Sequence, residues 1–161
     1  MKFVIAAALC AFAAPAFAMD ATLGAPWDGK KVPKGQQCRL HGGKPSTPPI
    51  SVSGIPAGTA FIIGEFNDRD YPPLSTKGGH GTISWPVKGA KATLGAIEEN
   101  AATGKGGAQA MKKARSTGEY ASKGYLAPCS GGRGNRYFVD LKAVDAKGKV
   151  LDKVRVEMGR Y

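Results

Sequence analysis

The chain has 161 residues and carries 23 Lys and Arg against 12 Asp and Glu, a formal net charge of +11. This length fits one domain with enough chain for a real core. The basic excess favours acidic partners such as anionic lipid headgroups, lipopolysaccharide or phosphates, although a solvated basic surface would carry the same charge.

The first 18 residues, MKFVIAAALCAFAAPAFA, combine Lys2, an apolar run and the small-x-small sequence Ala16-Phe17-Ala18. This pattern is typical of a secretory signal peptide cleaved after Ala18, and a buried N-terminal helix is the alternative. The run is shorter than the roughly 20 apolar residues of a membrane span, so no transmembrane segment is expected. We therefore predict a signal peptide at 1–18, one domain at 19–161 and a periplasmic or secreted protein, for which nucleic acid is a poor partner.

The next segments predict an arm followed by strands. Residues 19–48 are rich in Gly, Pro and Lys and read as an irregular arm. PPISVSGIPAGTAFIIGEFND (48–68) predicts two strands joined by a Pro/Gly turn, and GTISWPV (81–87) predicts a short strand that ends at Pro86.

The C-terminal half contains a segment with few large apolar residues, followed by two segments that alternate apolar and polar residues. Residues 88–123 are rich in Gly, Ala, Lys and Ser and predict a long surface excursion, in which AQAMKKARS forms one or two helical turns and its basic residues are solvated. RYFVDLKAV and KVLDKVRVEM then alternate apolar and polar residues around the turn DAKGK, which predicts a β-hairpin. The fold class is mainly β, an antiparallel sheet or sandwich with short helices attached.

Two cysteines, Cys38 and Cys129, remain after cleavage of the signal peptide. An even count in an oxidising compartment predicts one disulfide. Cysteine and histidine are not clustered at zinc spacing, so we expect neither a metal nor another cofactor.

Two loops carry the reactive groups. NDRDYPPLSTKGGHG (67–81) places Asp68, Asp70 and His80 on one Pro/Gly-bounded loop, where the acids could also simply cap turns. GYLAPCSGGRGNRY (124–137) has glycines that leave backbone N–H groups free for an anion, with Arg133, Arg136 and the hydroxyls of Tyr125 and Tyr137 beside them. Neither a GxSxG elbow nor a P-loop ending is present, so the residues favour binding over catalysis and we expect no enzyme.

These segments resemble the phosphatidylethanolamine-binding protein family, and its exported bacterial branch in particular. DRDYP followed by GGHG is similar to the family's first motif, GYLAPCSGGRGNRY to its second, and TPPISVSGIPAGT to the Ser-Pro-Pro-Leu segment before the first. Arg69, Tyr71 and Gly81 depart from the first motif; Ala127, Ser130 and Asn135 depart from the second, where Asn135 replaces a histidine.

The resemblance implies a β-sandwich with short peripheral helices and a small pocket where the two loops meet. The implied ligand is a small anion, phosphate-like or the headgroup of a phospholipid. Its binding residues would be Asp68, His80, Pro128 and Tyr137. The implied supporting residues are Asp70, Tyr71, Pro72, Tyr125, Asn135 and Arg136.

The alternatives to a ligand-binding protein are a protein-interaction or protease-inhibitor module and, more weakly, a hydrolase that uses His80. An anion beside Asp68 needs a shared proton or a protonated histidine. Because the glycines around His80 indicate partial exposure, we expect the Asp68 carboxylate to favour the imidazolium form.

Overall fold

The computed structural model describes residues 18–161, so all of the predicted signal peptide except Ala18 lies outside the described residues. Within these residues, eight strands form two antiparallel sheets, one with the order β1-β2-β5 and one with the order β6-β4-β3-β7-β8. The strands are Asp20–Leu23 (β1), Ile50–Ser53 (β2), Thr59–Asp68 (β3), Thr82–Pro86 (β4), Lys91–Leu94 (β5), Gln109–Lys112 (β6), Arg136–Asp145 (β7) and Val150–Arg160 (β8).

The core lies between the two sheets and is built by alternation. In β7 the buried residues Val139, Leu141 and Ala143 follow the period of two that places every second side chain on one face. They join a single apolar cluster with Ile50 and Val52 of the three-stranded sheet. The mainly β sandwich is confirmed, and so are the C-terminal hairpin and the short strand before Val87.

Three strands and the helices differ from the prediction. The arm contains β1, which pairs with β2, and the excursion contains β5 and β6. The prediction of helical turns in AQAMKKARS is wrong, because Gln109–Lys112 forms an edge strand that pairs with β4. Edge strands with little burial need no apolar alternation, so the sequence lacks the usual signal.

In the described part of the chain, residues 18–161, the helical content is limited to four single 3-10 turns of three residues each, at Arg39–His41, Pro72–Leu74, Lys105–Gly107 and Gly118–Tyr120. Among residues 18–161, no helix is long and apolar enough to cross a membrane.

The predicted disulfide is present. Cys38 and Cys129 are bonded, with their Cα atoms 5.2 Å apart and a sequence separation of 91. The bond fixes the 3-10 turn after Cys38 to the second glycine-rich loop, and the Cys38 N–H also donates to the Pro128 carbonyl at 3.0 Å.

We expect the double variant Cys38→Ser/Cys129→Ser to lose about 4 kcal/mol of unfolding free energy, because a loop of this length is no longer closed in the unfolded chain. Urea denaturation measures the loss, and peptide mapping without reduction should recover the linked pair. Alkylation of both cysteines in the unfolded, non-reduced protein would contradict the assignment.

Candidate functional site

The two motif loops meet because β3 and β7 are antiparallel neighbours. Asp68 ends β3, and Tyr137 stands opposite it in the register, one residue into β7. The first loop therefore follows β3 at the same end of the sheet at which the second loop leads into β7. Pairing of these strands brings the loops together although they are far apart in sequence.

The first loop is shaped by Asn67, whose side chain is fully buried. Its Oδ1 accepts the N–H groups of Gly78 and Gly79 at 3.0 and 3.1 Å, which folds the loop back onto the end of β3. The His80 N–H then donates to the Phe66 carbonyl at 2.9 Å. These bonds hold the His80 backbone beside the strand end that carries Asp68.

Close backbone contact joins the first loop to the second. The His80 carbonyl accepts the Leu126 N–H at 2.8 Å. Gly81 has a φ of +108°, and a Cβ added there would lie 2.6 Å from the Gly124 carbonyl oxygen. The glycine that departs from the family motif is therefore required by the approach of the second loop.

Asp68 is buried, with 3% of its surface exposed, and its hydrogen-bond donors are neutral groups. Oδ1 accepts the Asp70 N–H at 2.9 Å, and Oδ2 accepts the Asn135 side-chain amide at 2.8 Å. One bond shapes the first loop and the other crosses to the second. Asp68 thus caps a turn, as Asp residues often do, and also belongs to the site.

His80 is also 3% exposed, which corrects the expectation of partial exposure. Its Nδ1 lies 2.9 Å from the Leu126 carbonyl oxygen. A carbonyl only accepts, so Nδ1 carries the hydrogen and a neutral ring has Nε2 as an acceptor. Burial lowers the pKa of the imidazole below its usual 6.5, although the Leu126 carbonyl and the Asp68 carboxylate oppose the shift. The expectation that the carboxylate would prevail is wrong because the ring loses more hydration than the prediction assumed.

Tyr137 completes the buried end of the site, and its ring lies edge-on to that of His80 with centroids 5.4 Å apart. Its hydroxyl oxygen accepts the Cys129 N–H at 3.2 Å. Burial, assisted by the nearby Asp68 carboxylate, raises the pKa of the phenol, so Tyr137 keeps its proton.

A cavity of about 390 Å³ opens from these groups to the surface. Its buried end has Asp68, His80 and Tyr137, and its rim has the exposed side chains of Tyr71, Tyr120, Arg115 and Arg133. The other lining residues are Pro73, Leu74, Ser116, Thr117, Leu126, Cys129, Ser130 and Asn135.

Five of the residues implied by the resemblance line this cavity: Asp68, Tyr71, His80, Asn135 and Tyr137. The other five, Asp70, Pro72, Tyr125, Pro128 and Arg136, do not.

The implied residues that do not line the cavity lie elsewhere in the structure. Pro128 is buried, and its carbonyl accepts the Cys38 N–H. Tyr125 is buried against Phe66, and its hydroxyl has no hydrogen-bond partner in the described chain. Asp70 pairs with Arg136, and this pairing lowers the pKa of its carboxyl.

Arg115 was not singled out by the sequence, in which it belongs to a basic run expected to be solvated. The Arg115 N–H donates to the Gly79 carbonyl at 2.9 Å, and its guanidinium donates to the Pro73 carbonyl at 2.9 and 3.2 Å. The side chain thereby lines the cavity. No sequence signal separates it from Lys112 and Lys113.

One group of side chains has metal-ligand chemistry. Atoms of Cys38, His41 and Cys129 lie within 4.8 Å of one another. Both sulfurs are joined in the disulfide, so they offer no thiolate to an ion. That the protein uses no metal stays a prediction.

We expect Gly81→Ala to lower the unfolding free energy by about 3 kcal/mol, from left-handed backbone strain plus the clash with the Gly124 carbonyl. The matched control is Gly89→Ala, where φ is +82° and nothing lies within 4 Å of the added carbon. The control should lose only about 1 kcal/mol. Urea denaturation measures both losses of unfolding free energy. Equal losses in the two variants would contradict the close contact between Gly81 and the Gly124 carbonyl.

Comparisons with known proteins agree with this geometry. The family model described as phosphatidylethanolamine-binding protein matches residues 21–159. A search of curated proteins finds no match.

Two solved structures share the fold. A homologue of this family from Chlamydia trachomatis is 20% identical, with a TM-score of 0.56, over 89% of this chain and 97% of its own. YbcL of Escherichia coli, described as a member of the mammalian family, is 16% identical, with a TM-score of 0.51, over 89% of this chain and 97% of its own. The chain belongs to the phosphatidylethanolamine-binding protein family.

Proposed function

We propose that this protein binds a small anionic ligand, a phosphate-like group or a phospholipid headgroup, in the cavity between its two motif loops. The observation that carries the proposal is the pair of exposed guanidinium groups, Arg115 and Arg133, on the rim of a cavity with a buried polar end. Family membership supports ligand binding in general.

The rim charges are available to a ligand. Arg115 donates to carbonyl oxygens, and within residues 18–161 neither Arg115 nor Arg133 forms a salt bridge. A guanidinium offers several N–H donors in a planar fork, which suits the oxygens of phosphate. Two such groups beside a single buried carboxylate leave the cavity with an excess of positive charge.

The side chains of the cavity support binding rather than hydrolysis. The Ser130 hydroxyl donates to the Tyr161 carbonyl, and the Ser116 hydroxyl donates to the Tyr120 carbonyl at 2.7 Å. Neither serine is bonded to His80, so the pairing that activates a serine nucleophile does not occur in the described chain. A non-enzymatic, exported ligand-binding protein remains our proposal.

Phenyl phosphate is a suitable probe because it offers an oxoanion for the arginines and a ring for the apolar lining. We expect calorimetry at low salt to show saturable binding that Arg133→Ala weakens about tenfold, since a hydrogen bond to a charged group contributes roughly 1.5 kcal/mol.

The control is Lys147→Ala, which removes one positive charge from the β7–β8 turn, roughly 30 Å along β7 from the cavity at strand spacing. It should leave affinity unchanged. An equal loss in both variants, or no binding to the unaltered protein, would contradict the proposed site.

A further inference from the structure

We infer that the Cys38–Cys129 disulfide is a site of thiol–disulfide exchange, at which a small thiol compound enters through the cavity and attacks the sulfur of Cys129. Cys38 is the sulfur that leaves, and His41 donates a hydrogen bond to its thiolate. This covalent chemistry goes beyond the proposed binding of an anion and does not depend on it.

The two sulfurs differ in access. Cys38 is 1% exposed, so its sulfur is closed to solvent, whereas Cys129 is partly exposed and lines the cavity. In an exchange reaction a thiolate attacks one sulfur of the disulfide, from the side opposite to the other sulfur, and a mixed disulfide forms. A thiolate in the cavity therefore reaches Cys129, with Cys38 on the far, buried side as the leaving group.

The surroundings of Cys129 suit an incoming thiolate. The guanidinium groups of Arg115 and Arg133 line the same cavity, and within residues 18–161 neither forms a salt bridge. Partial exposure and nearby positive charge are the setting in which protein sulfurs react with thiolates. The volume of about 390 Å³ accommodates a small aliphatic thiol.

His41 lies beside the disulfide. One of its ring nitrogens lies within 4.8 Å of both sulfurs. Its Nε2 is buried and has no hydrogen-bond partner among the described residues. The ring packs against Gly131 of the second loop, where an added Cβ would lie 3.5 Å from Nε2, and its centroid is 6.2 Å from that of the Tyr161 ring.

The missing partner of Nε2 points to the reduced state. A disulfide sulfur is a weak acceptor, whereas a thiolate has a full negative charge and accepts strongly. A hydrogen on the His41 Nε2 therefore gains an acceptor when the S–S bond breaks. A hydrogen bond to the departing thiolate stabilises it, and a more stable leaving group departs faster.

The reaction balances with two molecules of a small thiol. The first thiolate forms a bond to Cys129 Sγ, and the electron pair of the S–S bond leaves with Cys38 Sγ. The Cys38 thiolate accepts from His41 and takes a proton from solvent when it becomes a thiol. A second thiolate attacks the mixed disulfide, releases the Cys129 thiolate and leaves as an oxidised small disulfide.

The first test locates the attack, with 2-mercaptoethanol and the full-length oxidised chain in the absence of denaturant. The chain contains Cys10→Ser throughout, so that Cys38 and Cys129 are its only cysteines. Acid quenching, alkylation and peptide mapping identify the mixed disulfide. We expect the adduct on Cys129 at least about tenfold more often than on Cys38, because the buried sulfur is not reached.

The second test measures the rate of reduction by dithiothreitol in variants of the turn after Cys38. His41→Phe keeps a ring but removes both nitrogens, and we expect reduction about tenfold slower, as for a lost hydrogen bond to a charged group. His41→Gln retains an N–H donor and should keep the rate within about threefold. The matched control is Leu40→Ala, an exposed position of the same turn, which should leave the rate unchanged.

Equal amounts of adduct on the two cysteines would overturn the inference, since attack on an unfolded chain does not distinguish them. So would a disulfide that is reduced only as urea unfolds the protein. An equal loss of rate in His41→Phe and His41→Gln, or no loss in His41→Phe, would overturn the role of His41. Adduct mapping in the chain with His41 remains decisive if these variants do not fold, and none of these outcomes bears on anion binding.

Discussion

The site depends on the hydrogen bonds of one buried carboxylate, that of Asp68. It ends β3, receives the Asp70 N–H within the first loop and receives the Asn135 amide from the second loop. A buried charge is costly unless hydrogen-bonded, so these contacts couple the conformation of both loops to the end of the sheet. Both hydrogen-bond partners of Asp68 are neutral groups, and the positive charges of the cavity, those of Arg115 and Arg133, lie on its rim.

Much of the fold is predictable because its central strands obey simple periodicity. β7 and β8 alternate apolar and polar residues over ten and eleven residues, so the hairpin follows from the sequence. The edge strand β6 is exposed at most of its positions and has no such pattern. Its pairing with β4 is a tertiary effect, which local helix propensity in AQAMKKARS could not reveal.

The sequence predicts which motif residues come together in the site, but it does not predict their protonation. Asp68, His80 and Tyr137 do converge, because antiparallel pairing of β3 and β7 places the two motif loops at the same end of the sheet. The protonation of His80 could not be inferred, since glycines flank it in sequence while Phe66, Leu126 and Tyr137 enclose it in space. Arg115 was missed for the same reason: only the folded chain distinguishes it from its basic neighbours.

We expect the buried end of the cavity to hold a neutral His80 with its hydrogen on Nδ1. Nitrogen-15 NMR of the imidazole across a pH titration tests it directly and needs no ligand, with His80→Gln assigning the resonances. The expected result is the Nδ1–H tautomer and a titration midpoint below 6.5, the usual pKa of histidine. A midpoint above 6.5, or a hydrogen on Nε2, would contradict it.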